Sequence, residues 1–260
     1  MAFLRLLHRK SDGEIVFREP TSGDPPAYAI LSHTWGKEEV SFQEVEAGTG
    51  KSKAGWKKIQ FCAEQARIDG LQYFWVDTCC IDQKNAVELG AAINSMFRWY
   101  QNAARCYAYL SDVSKPNTEA NDQKTWEEAF RNSRWFTRGW TLQELIAPRL
   151  VEFFSFEGNR LGSKLSLESM IFEITGIAKN ALHGDALSNF SIKERRSWAD
   201  HRNTKIEEDK AYCLIGVFDI SMVPNYGEGR DQAFRRLEEE IHKLYKGKLL
   251  VQILLPKERN

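Results

Sequence analysis

The chain has 260 residues, 42% hydrophobic and 28% charged, which is enough apolar material to bury the core of one or two globular domains. Its 36 basic and 36 acidic residues cancel, so it has no global attraction to phosphate backbones or anionic lipid, and nucleic acid and membrane are not expected partners. A net charge near zero favours self-association instead.

Along the chain, the first ten residues carry Arg5, Arg9 and Lys10 around an apolar run too short for a secretory signal. Residues 11–27 are rich in Pro, Gly, Ser and Asp and read as a leader loop. Tyr28–Ser32 is a short apolar run expected to form a buried strand. Residues 51–70 place Trp56, Ile59, Ala63 and Ala66 at helical spacing, with Gly70 as the stop. Tyr73–Val76 reads as a second strand, Ala86–Ala104 as a helix with Ile93, Met96, Phe97 and Tyr100 on one face, and Cys106–Leu110 as a third strand. Residues 114–124 are polar and read as a loop. A helix is expected from Thr137 or Thr141 to Pro148, then a fourth strand over Leu150–Phe154.

From about residue 164 the pattern is mostly helical. Asn225–Gly229 forms a turn before a last helix, near Asp231–Leu244, that presents Ala233, Phe234, Leu237, Ile241 and Leu244 to a core. The final stretch, Leu249–Asn260, has no structural stop, as expected of a module from a longer protein. Strands alternating with helices imply a parallel α/β sheet with right-handed crossovers. The expected organisation is a leader over 1–27, an α/β core over 28–160 and a helical extension over 161–260 packed on that core.

The five cysteines, Cys62, Cys79, Cys80, Cys106 and Cys213, are odd in number and contain no CxxC pair. That pattern points to free thiols in a reducing compartment, with no structural zinc. No stretch approaches the roughly 18 apolar residues of a membrane helix, so the expected location is the cytoplasm.

In open parallel sheets ligands bind beyond the carboxyl ends of the strands. Here those ends run into Ser32, His33 and Trp35, into Asp77 and Gln83, and into Ser111 and Asp112. Trp140 and Glu144 lie four apart and share a helix face. Each candidate also has a purely structural reading. Thr141 and Glu144 fit a capping box, in which the carboxylate only satisfies a backbone N–H. Asp77 suits a turn or an N-cap, His33 a hydrogen-bonded core position, and Trp35, Trp75, Trp99 and Trp135 the core itself. Cys80 could pair with His33 as a thiol nucleophile. Arg134 and Arg138 are solvated charges or phosphate clamps. Gly227-Glu-Gly229 lacks the strand and third glycine of a nucleotide loop.

Three blocks resemble the signature blocks of the fungal heterokaryon-incompatibility (HET) domain: Tyr28-Ala-Ile-Leu-Ser-His-Thr-Trp-Gly36, Phe74-Trp-Val-Asp-Thr-Cys-Cys-Ile-Asp-Gln83 and Arg134-Trp-Phe-Thr-Arg-Gly-Trp-Thr-Leu-Gln-Glu-Leu145. Glu208-Asp-Lys-Ala-Tyr212 and Tyr226-Gly-Glu-Gly229 resemble the tail of HET domains that open NLR-type incompatibility proteins. The resemblance implies a cell-death effector followed by nucleotide-binding and repeat domains. It also implies a TIR-like, flavodoxin-like fold, with Tyr28–Ser32 similar to the first TIR strand. Trp140-Thr-Leu-Gln-Glu144 is similar to the TIR motif W-x-x-x-E, whose glutamate is catalytic in TIR enzymes that cleave NAD. Residues 79–83 and the region after 164 have no TIR counterpart.

By that likeness Glu144 is the catalytic carboxylate. Ser32, His33, Trp35, Asp77, Gln83, Arg138 and Trp140 are candidate substrate contacts. NAD is the candidate substrate, and neither cofactor nor metal is expected. The rival reading is a non-enzymatic module of the same pathway that signals by oligomerising.

Overall fold

The computed structural model of the protein describes residues 4–18, 24–116 and 123–254. Among them is a seven-stranded sheet: β1 (Leu7–Arg9), β2 (Ile15–Phe17), β3 (Tyr28–His33), β4 (Tyr73–Trp75), β5 (Arg105–Tyr109), β6 (Val151–Phe154) and β7 (Arg160–Ser163). The spatial order is β2-β1-β4-β3-β5-β6-β7. The four inner strands β4, β3, β5 and β6 are parallel. The outer pairings, β1 with β2 and β4 and β7 with β6, are antiparallel. Taken alone, the parallel strands run second–first–third–fourth, as in doubly wound sheets.

β3 is buried at all six positions, as a central parallel strand covered on both faces must be. One covering helix is α2 (Trp56–Ile68), which turns Trp56, Ile59, Cys62, Ala63 and Ala66 inward. Another is α4 (Ala86–Asn102), started by Asn85, whose side chain accepts from the N–H groups of Val87 and Glu88. Tyrosine hydroxyls pin α4 to β3. Tyr100 donates to the Leu31 carbonyl at 2.8 Å, and Tyr28 donates to that of Trp99 at 2.5 Å.

The expected α/β architecture is present, but the sequence pattern showed only the four parallel strands. β1 and β7 are as short as β4 and β6 but carry one large apolar residue each, so no apolar run marks them. β2 lies inside the segment read as a loop. The loop expected over 114–124 falls largely outside the described residues.

The remaining helices are α1 (Phe42–Glu46), α3 (Asp77–Cys80), α5 (Gln123–Arg131), α6 (Thr141–Ile146), α7 (Glu168–Thr175), α8 (Lys179–His183), α9 (Ile192–Ser197), α10 (Asp209–Tyr212), α11 (Ile215–Phe218) and α12 (Arg230–Leu254). In α12, Ala233, Leu237 and Ile241 are buried and Phe234 packs at the edge of the core. Leu244 is only half-buried, and the helix runs past it to Leu254. No described helix is long and apolar enough to cross a membrane.

Candidate active site

Glu144 sits on α6, a helix of six residues that are all buried. The helix starts without a side-chain cap, although Thr141 and Glu144 have capping-box spacing. The Thr141 hydroxyl lies 2.5 Å from the Trp135 carbonyl and 2.9 Å from that of Arg138, and accepts from Arg202 Nη1 at 2.8 Å. Glu144 therefore does not fold back onto its own helix. Its Oε2 meets Ser32 Oγ, at the end of β3, at 2.5 Å. Ser32 Oγ accepts in turn from Trp135 Nε1 at 2.8 Å. At its other end α6 is held by Lys164, a buried lysine that donates to the carbonyls of Pro148 (2.6 Å) and Leu145 (3.3 Å). The Leu145 carbonyl is one of those a helix end leaves unpaired, and Pro148 follows directly after the C-cap.

Burial pushes the Glu144 pKa up to about 8, and the negative charge of Asp77 pushes the same way. Ser32, Arg202 and Tyr100 oppose these effects without cancelling them.

Asp77 opens α3, directly beyond β4. Its Oδ1 is 2.8 Å from His33 Nε2, and its Oδ2 accepts from Trp35 Nε1 at 2.7 Å. Lys58 Nζ, which can only donate, lies 3.1 Å from His33 Nδ1. That assigns the ring its Nε2–H tautomer, with the proton directed at Asp77. Burial alone would raise the Asp77 pKa, but His33, Trp35 and the Thr78 N–H outweigh it and hold the carboxyl below its ordinary value. The two carboxyl groups are thus driven apart, one kept ionised and the other kept reluctant to ionise. Such divergence marks acid–base sites.

Both carboxyls line one cavity of about 390 Å³. His33, Trp35, Gln83, Arg138 and Trp140 line it too, so every expected site residue except Ser32 reaches the space. Ser32 is fully buried and touches the cavity through Glu144. Of the four tryptophans that also had a core reading, Trp75, Trp99 and Trp135 are buried, whereas Trp35 is 37% exposed at the cavity mouth. Among the described residues no cluster of His, Cys, Asp or Glu is arranged to hold a metal ion.

With the three sequence blocks on one cavity, the comparisons with known proteins agree. The family described as "Heterokaryon incompatibility protein (HET)" matches residues 28–121. Over 243 residues the chain is 54% identical to the vegetative incompatibility protein HET-E-1 of Podospora anserina, covering 92% of this chain and 18% of that protein. The chain belongs to the HET family. It spans less than a fifth of the length of this curated relative, and no solved structure matches it.

The HET site has a second wall that sequence reasoning did not assign. Lys205, Ile206, Asp209 and Tyr226 close the cavity from the helical region. Asp209 accepts from Trp140 Nε1 at 3.1 Å and from the Tyr226 hydroxyl at 2.9 Å, tying the W-x-x-x-E helix to the tail. Burial raises the Asp209 pKa, against the pull of those two donors. Lys205 Nζ sits 5.9 Å from the centre of the Trp35 ring. The signal for this wall was the pair of tail blocks, 208–212 and 226–229, which matched the family but carried no assigned role.

Other candidates resolve as structure. The N–H groups of Gly227 and Gly229 donate to Glu208 Oε1 at 2.8 and 3.0 Å, so the turn grips the protein's own carboxylate. Both glycines have positive φ (99° and 79°), a backbone that only glycine adopts freely. Cys80 is buried with its sulfur on the Val76 N–H, and both His33 nitrogens are taken, so the thiol–histidine pair does not form. Arg134 and Ser133 bond Asp112, away from the cavity.

Proposed function

We propose that this HET domain is a cell-death effector of fungal non-self recognition that hydrolyses the nicotinamide–ribose bond of NAD. The observation that carries this reading is Glu144: a carboxyl held by Ser32 at the strand end, on a cavity with tryptophan rings and cations in its walls. In this reading nicotinamide stacks on Trp35 or Trp140, and Arg138 meets the pyrophosphate. The C1′–N bond breaks with both electrons going to nicotinamide, which leaves neutral and needs no proton. The oxocarbenium-like ribose left behind is stabilised by the Glu144 carboxylate. Water then adds at C1′ and gives up one proton, so the products are ADP-ribose, nicotinamide and a proton.

A cationic substrate next to Glu144 favours its ionised form. Binding thus prepares the carboxylate, while the empty site keeps it mostly neutral. Asp77, ionised and anchored by His33 and Trp35, holds ribose hydroxyls or the attacking water. The TIR-like relationship, cytoplasmic location, self-association and downstream nucleotide-binding and repeat domains belong to the same proposal.

The test is release of free nicotinamide from NAD by concentrated protein and by a verified oligomer. Turnover by the parent that Glu144→Gln abolishes supports the reading. No turnover by the verified oligomer overturns it in favour of a module that signals by contact alone.

A further inference from the structure

A second cavity, of about 150 Å³, adjoins the turn at Gly139 and shares no lining residue with the first. Arg196, Arg202, Lys210 and Arg230 line it, against the single carboxylate of Asp200. In a chain of zero net charge this is a marked local excess of cations. Arg196 is partly engaged with Glu238 at 2.7 Å. Among the described residues no carboxylate pairs with Arg202, Lys210 or Arg230.

Arg202 is the informative member. It is only 4% exposed. Its Nε donates to the Trp198 carbonyl at 3.2 Å, and Nη1 donates to the Arg138 carbonyl at 2.9 Å and to Thr141 Oγ1 at 2.8 Å. Nη2 is buried without any partner. A buried guanidinium normally satisfies its whole fork, and a planar set of donors with one side open suits an oxyanion. Gly139 leaves no slack in the nearby backbone. A Cβ there would stand 2.5 Å from Thr204 Cγ2 and 3.2 Å from Cys213 Sγ. The Gly139 N–H is bonded to the Asn203 carbonyl at 2.9 Å.

We propose that this cavity is an anion site for a phosphate group, closed on Arg202, and that α6 feels its occupant because the same guanidinium holds Thr141 and the Arg138 carbonyl. The link is short: the anion takes Nη2, Nη1 holds the first residue of α6, and Glu144 is on that helix. Neither half of the proposal depends on NAD cleavage.

The experiment is calorimetric titration of the protein with inorganic pyrophosphate, alongside two double variants. Lys210→Ala with Arg230→Ala strips the second cavity and should weaken binding roughly tenfold or more, since charge-assisted contacts are lost. Arg138→Ala with Lys205→Ala strips the first cavity of its two cations and should leave the affinity of the second cavity unchanged. In the Arg138→Ala, Lys205→Ala background, pyrophosphate should also move the indole N–H resonance of Trp140, just before α6, and with Lys210→Ala and Arg230→Ala added it should not. Both double variants change exposed or half-exposed side chains, so folding is checked by matching melting temperatures. The opposite pattern of losses, binding indifferent to both pairs, or no saturable binding overturns the site. Binding with an unmoved Trp140 signal overturns the coupling.

Discussion

Glu44 and Glu144 each follow a hydroxyl residue by three positions, and they end in opposite states. At Ser41–Glu44 the carboxylate reaches back and accepts from both the N–H and the hydroxyl of Ser41 at 2.9 Å, and Lys53 joins it at 2.6 Å. The Lys53 and Ser41 bonds hold the Glu44 pKa down at about 2. At Thr141–Glu144 the hydroxyl is taken elsewhere, and the carboxyl reaches Ser32, 112 positions away in the chain. No cation bonds it directly, and burial lifts it to about 8. The S/T-x-x-E pattern states what is locally on offer, and tertiary competition for the hydroxyl decides whether the offer is taken.

The contrast is broken most directly by activity. Glu144→Gln should reduce nicotinamide release by about 10²–10³-fold, the usual loss when a charge facing the transition state is removed. Glu44→Gln should leave it unchanged. Equal loss in both variants, or in neither, removes the distinction. Next comes pH. If the reactive form is the ionised one, kcat/KM should fall about tenfold per pH unit below the free-enzyme pKa of about 8 and level off above it. Ser32→Ala deletes a contact that favours the carboxylate, so the midpoint should move upward.

Stability sharpens the comparison with smaller effects. Thr141→Val removes a buried hydroxyl and strands a donor of Arg202, which should cost roughly 2 kcal/mol in urea unfolding. Ser41→Ala should cost about 1 kcal/mol, as for an ordinary cap. The smallest signature is one of sign. Glu144 binds its proton more tightly folded than unfolded, so the parent loses stability as pH rises from 4.5 to about 8. Glu144→Gln should therefore gain melting temperature relative to the parent across that window. Glu44 binds its proton less tightly when folded, so its contribution is complete above 4.5 and disappears as pH falls through about 2. The deficit of Glu44→Gln should fade over that range.

The parallel strands and the rim residues were legible because buried strands are short apolar runs and their ends carry polar residues in sequence order. His33, Asp77 and Gln83 could be placed at one edge from that alone. Whether Glu144 capped its helix or faced the cavity was not legible, since the deciding partners, Ser32 and Arg202, are distant in sequence. The second wall was hidden for another reason. Of its residues only Asp209 lies on a helix, α10, whose four residues are far short of the window a periodic pattern needs, and Lys205, Ile206 and Tyr226 lie in bends and turns. Trp35 could not be told from Trp75 by type: Trp75 closes β4 inside the core, whereas Trp35 lies two residues beyond the end of β3.

The shared cavity has a mechanical side. Its walls come from two stretches of chain joined across it by the Trp140–Asp209 hydrogen bond, and Tyr226 braces Asp209 from within the tail. Anything that wedges between Trp35 and Lys205 fastens the sheet to the helical tail, and anything that breaks the Trp140–Asp209 bond loosens that hold. The domain therefore contains a clasp, and its grip could be followed by how readily a protease cuts the connection between residues 199 and 207, with no measurement of chemistry at all.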